Sequence, residues 1–297
     1  MTQPSSVSPE PSALPSITCL CPTYGRFERL RDAVACFLLQ DYPGEKRLLI
    51  ANDAPVGIWG VDLTGDLLIT AWNQSERYLT LGHKRQALLK AAQTPLVAHW
   101  DDDDLYLPWH LTMLVSRLQE AQGKTCAKPG AAWWAVGPRE GFHVRGLRHN
   151  VFEGQMLFSR DRALELGGYP PKDSGQARDL LRAFGRAGEA EVWNPDDHDV
   201  SYVYRWGDGV DHVSARKAPG RDHEFGDGQP LIPAGDAMVW ARARLGGQVG
   251  QFRRIAAGCE VYIDRAGWDV FTARLGAAVG FDLIEPLSHM QGAGLTW

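Results

Sequence analysis

Four consecutive aspartates, Asp101 to Asp104, follow the apolar run Leu96-Val97-Ala98-His99-Trp100. Carboxylates held a few ångströms apart repel, so one or more has a raised pKa unless a cation relieves the charge. A divalent hard cation does so through oxygen ligands, and Mg2+ or Mn2+ typically takes one or two carboxylates together with substrate phosphates. A solvated acidic loop, or the cap of a helix opening near Pro108, would account for the same four residues. The placement argues for chemistry instead, because two further polar clusters, Pro22-Thr23-Tyr24-Gly25-Arg26 and Asn52-Asp53, also terminate apolar runs.

The elements that must position these clusters follow from periodicity. Ser16 to Cys21 reads as a short buried strand stopped by Pro22. From Arg26 to Gln40 the apolar residues Leu30, Ala33, Val34, Phe37 and Leu38 recur at helical spacing. Strands are expected at Arg47–Ala51, Leu67–Ala71 and Pro95–Trp100, with helices at Gly82–Ala92 and from Pro108, at a helix start that proline favours, to about Ala121. Strands alternating with helices indicate an α/β fold: a Rossmann-type sheet flanked by helices, with right-handed crossovers. Ligands in such sheets bind beyond the carboxyl ends of the strands, where all three polar clusters sit. After about residue 130 the pattern loosens. Strands are expected at 131–136, 151–158 and 200–204, and helices at 160–166 and 176–185. Residues 207–235 read as a long loop, and helical pattern returns at 237–245 and 268–275.

Composition bounds the rest. The chain has 297 residues, enough for one large domain or two small ones and for a core that needs no staples. Its 44% hydrophobic and 23% charged residues exclude a largely disordered or fibrous protein. A net charge of −5 gives no general attraction for nucleic acid or an anionic membrane. Five cysteines, an odd number, point to core thiols in a reduced compartment rather than a disulfide framework. Residues 1–15, rich in Pro and Ser, read as a disordered tail. No stretch has the length of a membrane span and the N-terminus lacks the pattern of a signal peptide, so the expected location is the cytoplasm.

The motifs, taken together, resemble the inverting family 2 glycosyltransferases of the GT-A fold. Pro22-Thr23-Tyr24-Gly25-Arg26 matches a first-strand Pro-Thr-Tyr-Asn-Arg loop, and Leu39-Gln40-Asp41-Tyr42-Pro43 a Gln-x-Tyr-Pro helix end. Asn52-Asp53 stands where the family has Asp-Asp. Gly82-His83-Lys84-Arg85-Gln86 is similar to Gly-x-Lys-Arg-Asn, and His99 to Leu105 to the Asp-x-Asp segment. Met156 to Arg160 with Gly167-Gly168-Tyr169 resembles the acceptor-side segment. Tyr204-Arg205-Trp206-Gly207, followed by His212, resembles a downstream element of one subgroup. A haloacid-dehalogenase-type phosphatase wants its Asp-x-Asp on the first strand with Thr or Val two residues on, where Leu105 stands here.

The resemblance implies a GT-A domain over residues 16–205, with 206–297 as a loop and C-terminal extension packing on it. It implies a nucleoside-diphosphate sugar donor, most often a uridine one, a Mn2+ or Mg2+ cofactor, and an acceptor that could be a glycan, a lipid-linked sugar, a protein, a small molecule or a modified nucleobase. Asp103 is the first choice for metal ligand, with Asp104 beside it and His212 as a third. Asp101 or Asp102 would face the ribose and Asp53 the base. Pro22, Thr23, Tyr24, Arg26, Lys84 and Arg85 would complete the donor site. The family's catalytic base lies in a Gly-Glu-Asp segment, which here reads Gly175-Gln176-Ala177-Arg178-Asp179, so neither expected acid is present. Asp179, Asp173 and, in the acceptor-side strand, Glu153 are the carboxylates left to act as a base. The remaining alternative is a nucleotide-sugar-binding protein without turnover. A nucleotidyltransferase would want glycines in the Pro22–Arg26 loop that are missing.

Overall fold

In the computed structural model of the chain, residues 14–58, 67–136, 143–149, 152–195, 200–206, 231–232 and 237–244 are described. The strands β1 (Ile17–Thr23), β2 (Lys46–Asn52), β3 (Leu67–Asn73), β4 (Leu96–His99), β6 (Cys126–Pro129), β9 (Leu157–Ser159) and β10 (Ala190–Trp193) form one sheet. Their order is β10-β6-β9-β4-β1-β2-β3, parallel except at β9, which runs antiparallel between β4 and β6. Every residue of β1 is buried, as expected for a central strand covered on both faces. The chain leaves β1 outward to β2 and β3, then crosses back to lay β4 on the other side of β1. That reversal opens a crevice beyond the ends of β1 and β4, the place where open α/β sheets bind ligands.

Helices cover both faces. Cys19, Cys21, Leu48 and Ile50 pack under α1 (Phe27–Leu38) and α3 (His110–Glu120). Leu20, Ala51 and Val97 face α2 (Leu81–Ala91), α4 (Arg160–Glu165) and α5 (Gln176–Arg186). A second sheet, β5 (Leu105–Tyr106), β11 (Tyr202–Trp206), β7 (Ala131–Val136) and β8 (His143–His149), adjoins the acidic run directly, since β5 begins at Leu105. Leu231, Ile232 and Ala241 are buried in the α1-side core, and Arg244 pairs with the buried Asp32 of α1. Four cysteines, Cys19, Cys21, Cys36 and Cys126, are buried free thiols, and burial raises the pKa of each, that of Cys36 to about 12.

The expected helices that fall on described residues and the first four strands form close to their expected bounds. The strand expected over 151–158 is instead a 3-10 turn at Glu153–Gln155 followed by the three-residue β9, because Phe152 takes φ 66° and ends extended structure there. Strands β5, β6, β8 and β10 are not among the expected ones. The tail to residue 13, the helix at 268–275 and most of the 207–235 loop, with His212, lie outside the described residues.

Candidate active site

A cleft of about 480 Å3 lies beyond the ends of β1 and β4. Its walls include Pro22, Thr23, Tyr24, Arg26, Lys84, Arg85, Asp101, Asp102, Asp103 and Asp104, so two of the three polar clusters that end apolar runs meet in one cavity, joined by Lys84 and Arg85. Asp53, expected to reach a base, sits behind that wall: Oδ1 pairs with Lys84 and Oδ2 accepts the Tyr78 amide at 2.9 Å. Lys84 also donates to the Thr23 carbonyl at 2.8 Å, which ties α2 to the end of β1. Burial lowers the Lys84 pKa, against the opposing pull of Asp53.

The four aspartates alternate. Asp101 keeps 21% and Asp103 10% of its side-chain surface, whereas Asp102 keeps 1%. Asp102 turns inward and accepts from Thr23 Oγ1 at 2.6 Å and from Arg26 Nε at 3.1 Å. Asp104 is buried too: its Oδ2 accepts from Tyr202 Oη and its Oδ1 from the Arg205 amide at 2.9 Å. Arg26 Nη1 reaches Asp103 at 2.7 Å, and Arg85 pairs with Asp101. Burial raises the carboxyl pKa of Asp101 to about 6, with Asp103 and Asp102 adding to it and Arg85 opposing. Burial also raises Asp102, and raises Asp104 well above the usual carboxylate range, with Asp103 and Asp101 contributing.

The cleft-facing pair, Asp101 and Asp103, has the chemistry to hold a hard cation. Among the described residues no three His, Cys, Asp or Glu side chains converge as a closed metal cage. Asp104, expected beside Asp103 as a ligand, has both oxygens engaged within the protein.

Across the cleft stand Phe152, Glu153, Gly154, Asp173 to Arg178, Tyr202 and Tyr204. Asp173 Oδ1 accepts the Leu81 amide, in the first turn of α2, at 3.1 Å. Asp179 does not line the cavity; it pairs with Lys172 and Arg182 on the exposed side of α5, and the Lys172 bond holds its pKa below the usual value. Glu153 lines the cavity and pairs with Arg178 Nε at 2.9 Å. Sequence reading missed Tyr202 and Phe152. Tyr202 and Tyr204, two apart on a strand, share a face, which the period-2 rule could have shown. Nothing local marks Phe152, whose ring stacks on Tyr204 with centroids 4.1 Å apart. Trp100 is fully buried against Tyr106, and Trp109 and Trp133 are buried in the same core.

No protein-family model matches the sequence, and no curated protein sequence is similar to it. Solved structures do match. S. aureus TarS 1-349 in complex with UDP-GlcNAc superposes with a TM-score of 0.52 at 14% identity, covering 89% of this chain and 80% of that one. The fold is GT-A. The mannosyltransferase PcManGT from Pyrobaculum calidifontis, in complex with GDP-Man and Mn2+, also matches at 17% identity and a TM-score of 0.48, over 98% of this chain and 83% of that one. No described helix is long and apolar enough to cross a membrane.

Proposed function

We propose that the protein is a glycosyltransferase that moves a sugar from a nucleoside-diphosphate sugar, with uridine as its nucleoside, to an acceptor hydroxyl with inversion. The observation that carries this reading is the meeting of Thr23, Arg26, Lys84, Arg85, Asp101 and Asp103 in one cleft at the sheet's reversal point. The bound UDP-GlcNAc of a structure sharing the fold supports the same ligand class. Asp103, with Asp101, would hold Mn2+ or Mg2+, which when bound neutralises charge on the departing diphosphate. Arg26 and Asp102 brace the loop after β1 against the acidic run, so the cleft-facing carboxylates are fixed before any ligand arrives. Arg85 orients Asp101 and adds positive charge beside it. The proposal extends to the chain's organisation: residues 16–205 form the donor-binding domain and 206–297 pack on it. We also place the protein in the cytoplasm.

A second reading, a nucleotide-sugar-binding protein without turnover, is favoured by Gln176 and Ala177, which line the cleft where the resemblance puts acids. Both readings require donor binding. Thermal unfolding with UDP, with and without Mn2+, tests it: a ligand at 100 times its Kd adds about 2.7 kcal/mol, roughly 4 °C for a chain of this size. Stabilisation is expected only with the metal, and Asp103→Ala should abolish it. Stabilisation by no nucleotide, or equal stabilisation without metal, sinks the proposal. Release of UDP from a UDP-sugar separates transfer from mere binding.

A further inference from the structure

We propose that Glu153 is the general base of this cleft, held in place by Arg178; the proposal rests on the glycosyltransferase reading. Outside the acidic run, Glu153 and Asp173 are the carboxylates lining the cavity among the described residues. Asp173 is engaged by the Leu81 amide in the first turn of α2, which Thr80 caps. Glu153 Oε1 accepts from Arg178 Nε at 2.9 Å, while Oε2 makes no bond to a described residue. Arg178 lies in the first turn of α5, the helix start at which Gln176 and Ala177 replace acids. The helix that lacks its own carboxylate therefore supplies the arginine that orients one from the neighbouring turn.

The turn bearing Glu153 is fixed from several sides. His99 Nδ1 lies 2.6 Å from the Glu153 carbonyl and Tyr106 Oη donates to the Gly154 carbonyl at 3.1 Å. Phe152 is held at φ 66°, a region bulky residues rarely enter, with its ring on Tyr204. A Cβ on Gly154 would lie 2.8 Å from an Asp101 carboxylate oxygen and 2.6 Å from Tyr202 Oη. The turn is thus pressed against the acidic run, and Glu153 stands beside the donor side of the cleft. In the reaction, the acceptor oxygen bonds to the donor's anomeric carbon as its proton passes to Glu153 Oε2. The bond from that carbon to the diphosphate breaks, and its electron pair leaves on the diphosphate. Glu153 then returns the proton to solvent.

The test uses the full chain with Mn2+ and a panel of UDP-hexoses, following UDP release with water as acceptor. Glu153→Gln should lower release about 100-fold or more, the scale of a lost general base, while UDP still raises the melting temperature as in wild type. Azide, an anionic nucleophile that needs no deprotonation, should restore release by Glu153→Ala and yield the glycosyl azide. Wild-type rates in Glu153→Gln, or no azide rescue of an alanine variant that still binds UDP, overturn the assignment. So does a wild-type protein that binds UDP-sugars but never releases UDP. If wild type binds no nucleotide at all, the glycosyltransferase reading itself fails.

Discussion

Removing the Asp101 carboxyl should change how stability depends on pH. Its pKa is about 6 in the folded protein against an ordinary 3.8, burial being the largest cause. Between those values the folded state binds more protons than the unfolded one, so stability falls as pH rises from about 4 to 6. Full burial would make this about 3 kcal/mol. Because 21% of the side chain remains exposed, about 1–2 kcal/mol is the better expectation once solvent screening is allowed for. Urea unfolding of metal-free wild type and Asp101→Asn, followed by tryptophan fluorescence at pH 4, 5, 6 and 7, isolates the term. Asparagine does not titrate, so the variant should gain on wild type by about 1–2 kcal/mol from pH 4 to 7, whatever constant offset the lost Arg85 pair introduces. A gap that stays flat, or that closes as pH rises, refutes the argument that crowding and burial hold Asp101 partly protonated.

Two stability predictions test the scaffold behind the cleft. Asp32 is fully buried, with Oδ2 accepting from Arg205 at 2.8 Å and Oδ1 from Arg244 at 2.7 Å. Asp32→Ala removes the buried carboxylate that both guanidinium groups share and should cost about 3–5 kcal/mol in denaturant unfolding; a loss under about 1 kcal/mol would show that the network contributes little. Gly82 lies so close to the 170–172 segment that a Cβ would fall 2.0 Å from the Pro170 carbonyl oxygen. Gly82→Ala should destabilise by about 1–3 kcal/mol, and an unchanged melting temperature would mean that segment is not seated on α2. The metal-dependent stabilisation by UDP and the azide rescue at Glu153 complete the set.

Most of the residues that meet in the cleft were legible because their signals are local. Pro22 to Arg26 and the aspartate run each sit at the end of an apolar segment, and periodicity reports burial within one element. The strands it missed are the ones without a readable pattern: β6 is Cys126-Ala127-Lys128-Pro129, whose lysine and proline argue against a buried strand until its neighbours β9 and β10 are known. Register within the acidic run was equally closed to the sequence. Four identical side chains carry no mark of which two face solvent; Thr23, Arg26, Tyr202 and the Arg205 amide decide it by drawing Asp102 and Asp104 inward.

Sequence alone thus determined the α/β alternation, the helices and the strand ends on which charge gathers, all consequences of hydrophobic spacing over a dozen residues. Tertiary structure alone decided the pairings: Glu153 with Arg178, 25 positions apart, and Asp32 with Arg205, 173 apart. Such contacts depend on sheet order and on which side of a strand each crossover passes, and no short-range pattern encodes either.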